Sequence, residues 1–274
     1  MAQKITLIAF FILSSGSLPL LAESFLFFGD AGTGTSIQKD IAKSMAQTCK
    51  QLGCDFAVVL GDNIYPKGVK DVSDPQFQDK FESIYCSMGI PFHMSLGNHD
   101  YDGNAKAQIE YSARSKCWQM PSEFYTFQGT FADFFAVDTE KLSAEQVLWL
   151  RRHLSESSKD WKIVFGHRPI WSYGEHGHSY ELWPWLWPLL KTYKATAYLS
   201  GHDHVRQVIQ GNGIQYLVSG AAGDPKDSVK NQNGQAVFAK GGGGYGHMEI
   251  SAKSLTVRMF DAQGQMDYLN TTEK

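Results

Sequence analysis

The sequence predicts a layered α/β domain, and three observations carry that prediction. Short apolar runs alternate with helical patterns along most of the chain. Five of the runs end alike, in Gly or Ser-Gly followed by a polar residue: "FLFFGDAG", "FAVVLGDN", "FHMSLGNHD", "WKIVFGHRP" and "TAYLSGHDH". No linker or internal repeat divides the 274 residues, which suffice for one large core. Apolar runs bounded by Gly read as strands buried on both faces. Their alternation with helices implies a central sheet covered by helices.

The elements follow in order. Lys4, the apolar stretch Ile5–Leu13 and then Leu20-Leu21-Ala22 form the pattern of a signal peptide. Its apolar part is too short for a membrane span. Residues 1–22 are therefore expected to be a leader and 23–274 the domain. The product would be secreted or periplasmic, with no membrane insertion once the leader is cleaved. Helices are predicted over Ile37–Gln51, Pro75–Cys86, Ser143–Ser155 and Glu181–Tyr193, the third opening on the capping-box pattern "SAEQ". "SEFYTFQGTFADFFAVDT" reads as a hairpin, and "GIQYLVSG", "YGHMEISA" and "LTVRMFDA" as further, mostly antiparallel strands. "KGGGGYG" at 240–246 lacks phosphate-loop spacing and precedes a strand, so it reads as a flexible connection. "NTT" at Asn270 matches a glycosylation acceptor.

Composition narrows the function. A formal charge of -3 with no Lys/Arg block leaves no electrostatic footprint for nucleic acid. The aromatic stretch "WSYGEHGHSYELWPWLWPLL" suits a core edge or a pocket wall. Export makes Cys49, Cys54, Cys86 and Cys117 disulfide candidates. Of the three pairings that four cysteines allow, Cys49 with Cys54 plus Cys86 with Cys117 is the simplest.

Ligands of open α/β sheets gather beyond the carboxyl ends of the strands. The five strand ends deliver Asp30, Asp62, Asn98 with His99, His167, and His202 with His204; Tyr65 follows Asp62 by three positions. Carboxylates, imidazoles, an amide and a phenol in this number exceed what one divalent ion can use. They suit two metals sharing a bridging carboxylate, and Asp62 is the natural bridge.

"GDAG", "GDNIY", "GNHD", "VFGH" and "GHDH" occur in the order and spacing of the five metal-binding motifs of the metallophosphoesterase superfamily. The tyrosine in the second motif resembles the purple acid phosphatases. "LGDNIYPKGV", "GNHDYDGN", "IWSYGEHG" and "AYLSGHDH" look like the small tartrate-resistant type found in mammals. The resemblance runs from about Ser24 to the last strands.

It implies a β-sandwich of mixed sheets flanked by helices, an α/β/β/α arrangement. Asp30, Tyr65 and His204 would hold Fe(III), with Asp62 bridging to a second divalent metal (Fe, Zn or Mn) on Asn98, His167 and His202. Hard anionic oxygen donors suit the trivalent ion, and imidazoles with a neutral amide suit the divalent one. His99 and His176 would face substrate, with Asp100 and Glu175 as candidates to orient them. The implied activity is hydrolysis of small phosphate monoesters by a metal-bound hydroxide, in a monomeric acid phosphatase. A preference for diesters or nucleotides, or peroxide-linked redox activity of the iron, are the alternatives. The chain departs from the mammalian pattern where "FFAVDTEKLSAEQVLWL" passes almost directly from strand to helix, so a long loop over the site is missing. One cysteine of the family bridge falls near Tyr180, and none of the four cysteines follows that bridge.

Overall fold

The computed structural model describes residues 22–226, 228–230 and 236–274, so the predicted leader, apart from Ala22, lies outside the described residues. β1 (Glu23–Phe28), α1 (Ser36–Leu52) and β2 (Phe56–Val59) open the fold. A π-helical turn (Gln78–Glu82), α2 (Ser83–Tyr85) and a 3-10 turn (Cys86–Met88) lead to β3 (Phe92–Met94). α3 (Asn98–Tyr101), α4 (Ala105–Tyr111), β4 (Trp118–Gln119), β5 (Tyr125–Gln128) and β6 (Ala132–Ala136) come next. α5 (Ala144–Glu156), β7 (Trp161–Phe165), a 3-10 turn (Tyr180–Leu182), α6 (Leu186–Thr192) and β8 (Ala197–Ser200) follow. β9 (Arg206–Gly211), β10 (Ile214–Ser219), β11 (Ala236–Lys240), β12 (Gly244–Ile250), β13 (Ser254–Asp261) and β14 (Met266–Glu273) complete the chain.

The single central sheet inferred from strand alternation is instead two seven-stranded sheets, ordered β14-β13-β12-β1-β2-β3-β4 and β11-β9-β10-β8-β7-β6-β5. The sandwich implied by the family resemblance is present. β1 to β4 run parallel in the first sheet, and β6, β7, β8 and β10 in the second. Strands buried on both faces need cover on both sides, and here each sheet covers one face of the other. Phe25 of β1 meets Phe134 of β6 edge-on at 5.3 Å, Phe56 of β2 meets the same ring at 5.1 Å, and Phe127 of β5 stacks on it at 4.6 Å. On the outer side of the second sheet, Leu150 and Leu154 of α5 and Leu186 and Leu190 of α6 pack with Val164 and Tyr198.

Helix ends show where local signals hold. Ser143 Oγ accepts from Gln146 N at 3.1 Å, but the Gln146 side chain does not return to the cap. It pairs with the Asp138 backbone in both directions, at 2.7 and 3.0 Å, and fixes the short loop before α5. The helix predicted over Pro75–Cys86 is present over residues 76–88, passing from α through π-helical geometry back to α and ending in a 3-10 turn. The one predicted over Glu181–Tyr193 is interrupted at Pro184 and resumes at Leu186, because a helix-interior proline lacks the N–H and clashes one turn back. Half of the Gly-rich segment is strand: Gly246 in β12 lies under the Phe27 ring, where a Cβ would come within 2.0 Å. Cys49–Cys54 and Cys86–Cys117 are both bridged, the simplest of the pairings. Among the described residues no helix is long and apolar enough to cross a membrane.

One ionic clasp joins the sheets. Asp267 of β14 receives Arg206 of β9 at 2.7 Å and Lys240 of β11 at 2.6 Å, and Arg206 is buried. Burial alone would raise the Asp267 carboxyl, but hydrogen bonds from Lys240 and Arg206 outweigh it and hold it below the usual range. The clasp's contribution is therefore complete above the unfolded carboxyl's pKa of about 3.9 and is lost as pH falls below it. Asp267→Ala leaves a buried guanidinium unpaired and is expected to destabilise by about 3 kcal/mol in denaturant unfolding at neutral pH. That difference should shrink in acid.

Candidate metal centre

The parallel strands of both sheets bring their carboxyl ends to one edge of the sandwich, and the site is assembled there. Asp30 follows β1, Asp62 follows β2, and Asn98 opens α3 after β3; His167 follows β7 and His202 follows β8. Of the described non-glycine residues with positive φ, three are Asp30 (56°), Asp62 (51°) and His202 (66°). That left-handed conformation is unfavourable for residues with a Cβ, and it clusters where a site imposes it. Glycines packed against these residues and His167 make room. A Cβ on Gly97 would sit 2.3 Å from Asp62 Oδ1, one on Gly201 2.4 Å from Asp30 Oδ2, and one on Gly61 2.7 Å from His167 Nδ1.

The polar atoms converge in two groups that share Asp62. In the first, Tyr65 Oη lies 2.9 Å from Asp62 Oδ2, 3.2 Å from Asp30 Oδ1 and 3.2 Å from His204 Nε2. In the second, His167 Nε2 lies 3.1 Å from Asn98 Oδ1, 3.1 Å from His202 Nδ1 and 3.5 Å from Asp62 Oδ2. All seven residues read as ligands from the sequence are thus within one cluster. Asp30, Asp62 and His167 are fully or almost fully buried and offer ligand atoms within 4.8 Å of one another.

The protons of this cluster follow its negative charge. Burial, then Asp30 and Asp62, push the Tyr65 phenol far above its ordinary value. Burial would lower His204, but its contact with Asp30 prevails and raises it to about 9. His167 behaves alike, burial opposing and Asp62 and Asp30 raising it. The His202 ring meets no carboxylate among the described residues; burial, His167 and Arg168 drive it well below the usual imidazole range. The two buried carboxylates hold protons on Tyr65, His167 and His204, which is the environment a cation would relieve.

His99 and His176 both face the cluster. The His99 Nε2 is 3.9 Å from Asp62 Oδ2, while its Nδ1 pairs with Pro66 O at 2.7 Å. The His176 ring stacks on His202 with centroids 4.4 Å apart. Their expected orienting partners are different residues. Asp100 does not reach the His99 ring. It is buried, accepts from the backbone N–H of Asn63 and Gly97 and from Gln108, and is pushed up to about 7 by burial and Asp62. Glu175 makes no hydrogen bond to either imidazole among the described residues. The buried Asp203 accepts from His176 N at 2.8 Å and anchors that loop. Asp203 stands inside "GHDH", between two candidate ligands, and its place in the motif was the available signal. Arg168 and Glu140 beside His202 had only the unusual "GHRP" to announce them.

Comparison with known proteins identifies the family. The calcineurin-like phosphoesterase family model matches residues 24–206. The chain belongs to that family. Its relatives within the family include human tartrate-resistant acid phosphatase type 5, 37% identical with 92% of this chain and 91% of that protein covered. Purple acid phosphatase 4 of Arabidopsis thaliana is 33% identical, with 88% and 80% covered. Among solved structures, GAP50, described as the anchor in the inner membrane complex of Plasmodium, superposes with a TM-score of 0.85 at 27% identity over 92% of this chain and 89% of that one. A yellow lupin purple acid phosphatase shares the fold at a TM-score of 0.76, with 15% identity and 92% and 54% covered. Membership among the purple acid phosphatases implies a dinuclear metal centre, and the donor set fits one.

Gly201→Ala places a methyl group against Asp30 Oδ2. It is expected to lower metal content at least about tenfold at limiting metal while the far-ultraviolet circular dichroism stays unchanged, as elemental analysis would show.

Proposed function

We propose that the protein is an exported, monomeric, binuclear acid phosphatase acting on small phosphate monoesters. The observation that carries this reading is Tyr65: its hydroxyl meets both buried carboxylates and His204, beside a separate group of imidazoles and an amide. Asp30, Tyr65 and His204 would hold Fe(III), Asp62 would bridge, and Asn98, His167 and His202 would hold a second Fe, Zn or Mn. When bound, such a pair neutralises the phosphate and acidifies the attacking water.

The chain's own residues do the rest. His99 keeps Nδ1–H on Pro66 O, which leaves Nε2 turned to the cluster, where the doubly protonated ring can hand a proton to a departing alkoxide. His176 lies across His202 on an exposed loop tied down by Asp203, where its ring can meet a phosphate oxygen or the leaving group. Asp100 keeps Gly97 and Asn63 in register, and so places the loops bearing Asn98 and Asp62. Two disulfides support export to an oxidising compartment.

The Plasmodium anchor favours a second reading, a scaffold protein without hydrolysis. The complete donor set argues against it. Metal analysis with a visible spectrum separates the two: iron with a broad tyrosinate band supports the enzyme, and a metal-free colourless protein supports the scaffold. Tyr65→Phe is expected to abolish the band. With metals loaded, absence of phosphatase activity from about pH 4 to pH 7 would overturn the proposal, and a clear preference for bis-(p-nitrophenyl) phosphate over the monoester would move it to diesters. His99→Asn and His176→Asn are each expected to lower kcat about a hundredfold with metal content retained.

A further inference from the structure

The three candidate ligand imidazoles each turn one nitrogen away from the centre, and what that nitrogen meets differs. His167 Nδ1 pairs with Leu60 O at 2.8 Å. His204 Nδ1 pairs with Asp224 O, with the Asp224 carboxylate 3.5 Å away. Both therefore meet acceptors, which keeps the ring proton on the outward nitrogen and leaves Nε2 for an ion. His202 is turned the other way round. Its Nδ1 faces His167 Nε2, and its outward Nε2 lies 3.3 Å from Arg168 Nη1. A guanidinium offers only donors.

Arg168 is built into this position. Its Nε and Nη2 donate to Glu140 Oε2 at 3.0 and 2.9 Å. Thr139 Oγ1 accepts the backbone N–H of both His167 and Arg168, at 3.2 and 2.9 Å, and Tyr198 donates to Arg168 O at 2.7 Å. The Glu140 side chain is only 9% exposed and that of Arg168 28%. None of these contacts is used by the proposed hydrolysis.

An ion on His202 Nδ1 requires the ring proton on Nε2, where it would point at an Arg168 N–H. Donor would face donor, with a fixed positive charge behind the ring. We infer that Arg168, held by Glu140, weakens cation binding at the Asn98–His167–His202 side of the centre. Arg168 is thus a positioning residue that sets affinity through His202. The inference rests on the two-metal reading.

The test counts ions. Metal-loaded protein is equilibrated with graded EDTA, and bound ions are measured by elemental analysis, with circular dichroism to verify folding. Arg168→Gln, whose amide oxygen can accept from Nε2–H, should need about tenfold more chelator to lose the second ion. Arg168→Met removes the charge without adding an acceptor and should gain about threefold, which keeps the test standing if the Gln variant is unstable. Arg168→Lys keeps the charge but loses the two-pronged hold on Glu140, and its retention should fall between those of the parent and Arg168→Met. Glu140→Gln leaves the guanidinium uncompensated and should lose the ion at about tenfold less chelator. Opposite directions from the two halves of one ion pair cannot come from a clasp that is merely structural. Equal or weaker retention in both Arg168→Gln and Arg168→Met would overturn the inference while the two-metal reading stands. A parent that never holds more than one ion would overturn both.

Discussion

Two carboxylates at 0% and 2% exposure, Asp30 and Asp62, share one phenol hydroxyl, and the surrounding structure is arranged to sustain that. Buried like charges this close are unfavourable unless something positive or a proton stands between them. The neighbourhood supplies both: Tyr65 keeps its proton, and His204 and His167 are drawn toward their charged forms. Backbone amides contribute as well, His202 N donating to Asp30 and His99 N to Asp62, each at 2.9 Å. The left-handed turns at Asp30, Asp62 and His202 and the bare glycines around them follow from the same need. Five loops must approach one small volume.

The strand-end motifs were legible because each couples a short apolar run to a glycine and a polar residue, a pattern contained in a few consecutive positions. The division into two sheets was not. A strand buried on both faces has the same sequence whether helices or another sheet cover it, and Phe25 does not announce that its neighbour is Phe134. Asp100 was visible in "GNHD", but its partners Asn63 and Ile64 lie more than thirty residues upstream, so its structural role could not be read locally. Arg168 and Glu140 are separated by 28 residues and meet only because β6 and β7 pair in parallel. The glycines at 240–246 were misread in part because the ring that excludes a side chain at Gly246 comes from β1.

The comparisons illustrate how loosely this fold is tied to one task. Acid phosphatases of animals and plants and a Plasmodium anchor share it with this chain. What can tell such proteins apart is a handful of side chains at one edge, and function is argued from those and not from the sandwich.

Those side chains are also distributed between the layers. Asp30, Asp62, Tyr65 and Asn98 belong to the first sheet and its loops, and His167, His202 and His204 to the second. A centre divided in this way exists only when the two sheets are docked in register. An ion held between them would behave as a removable rivet, with a strength that rises logarithmically with free metal concentration. The mechanical integrity of the sandwich would then follow the metal supply of the compartment in which the protein works.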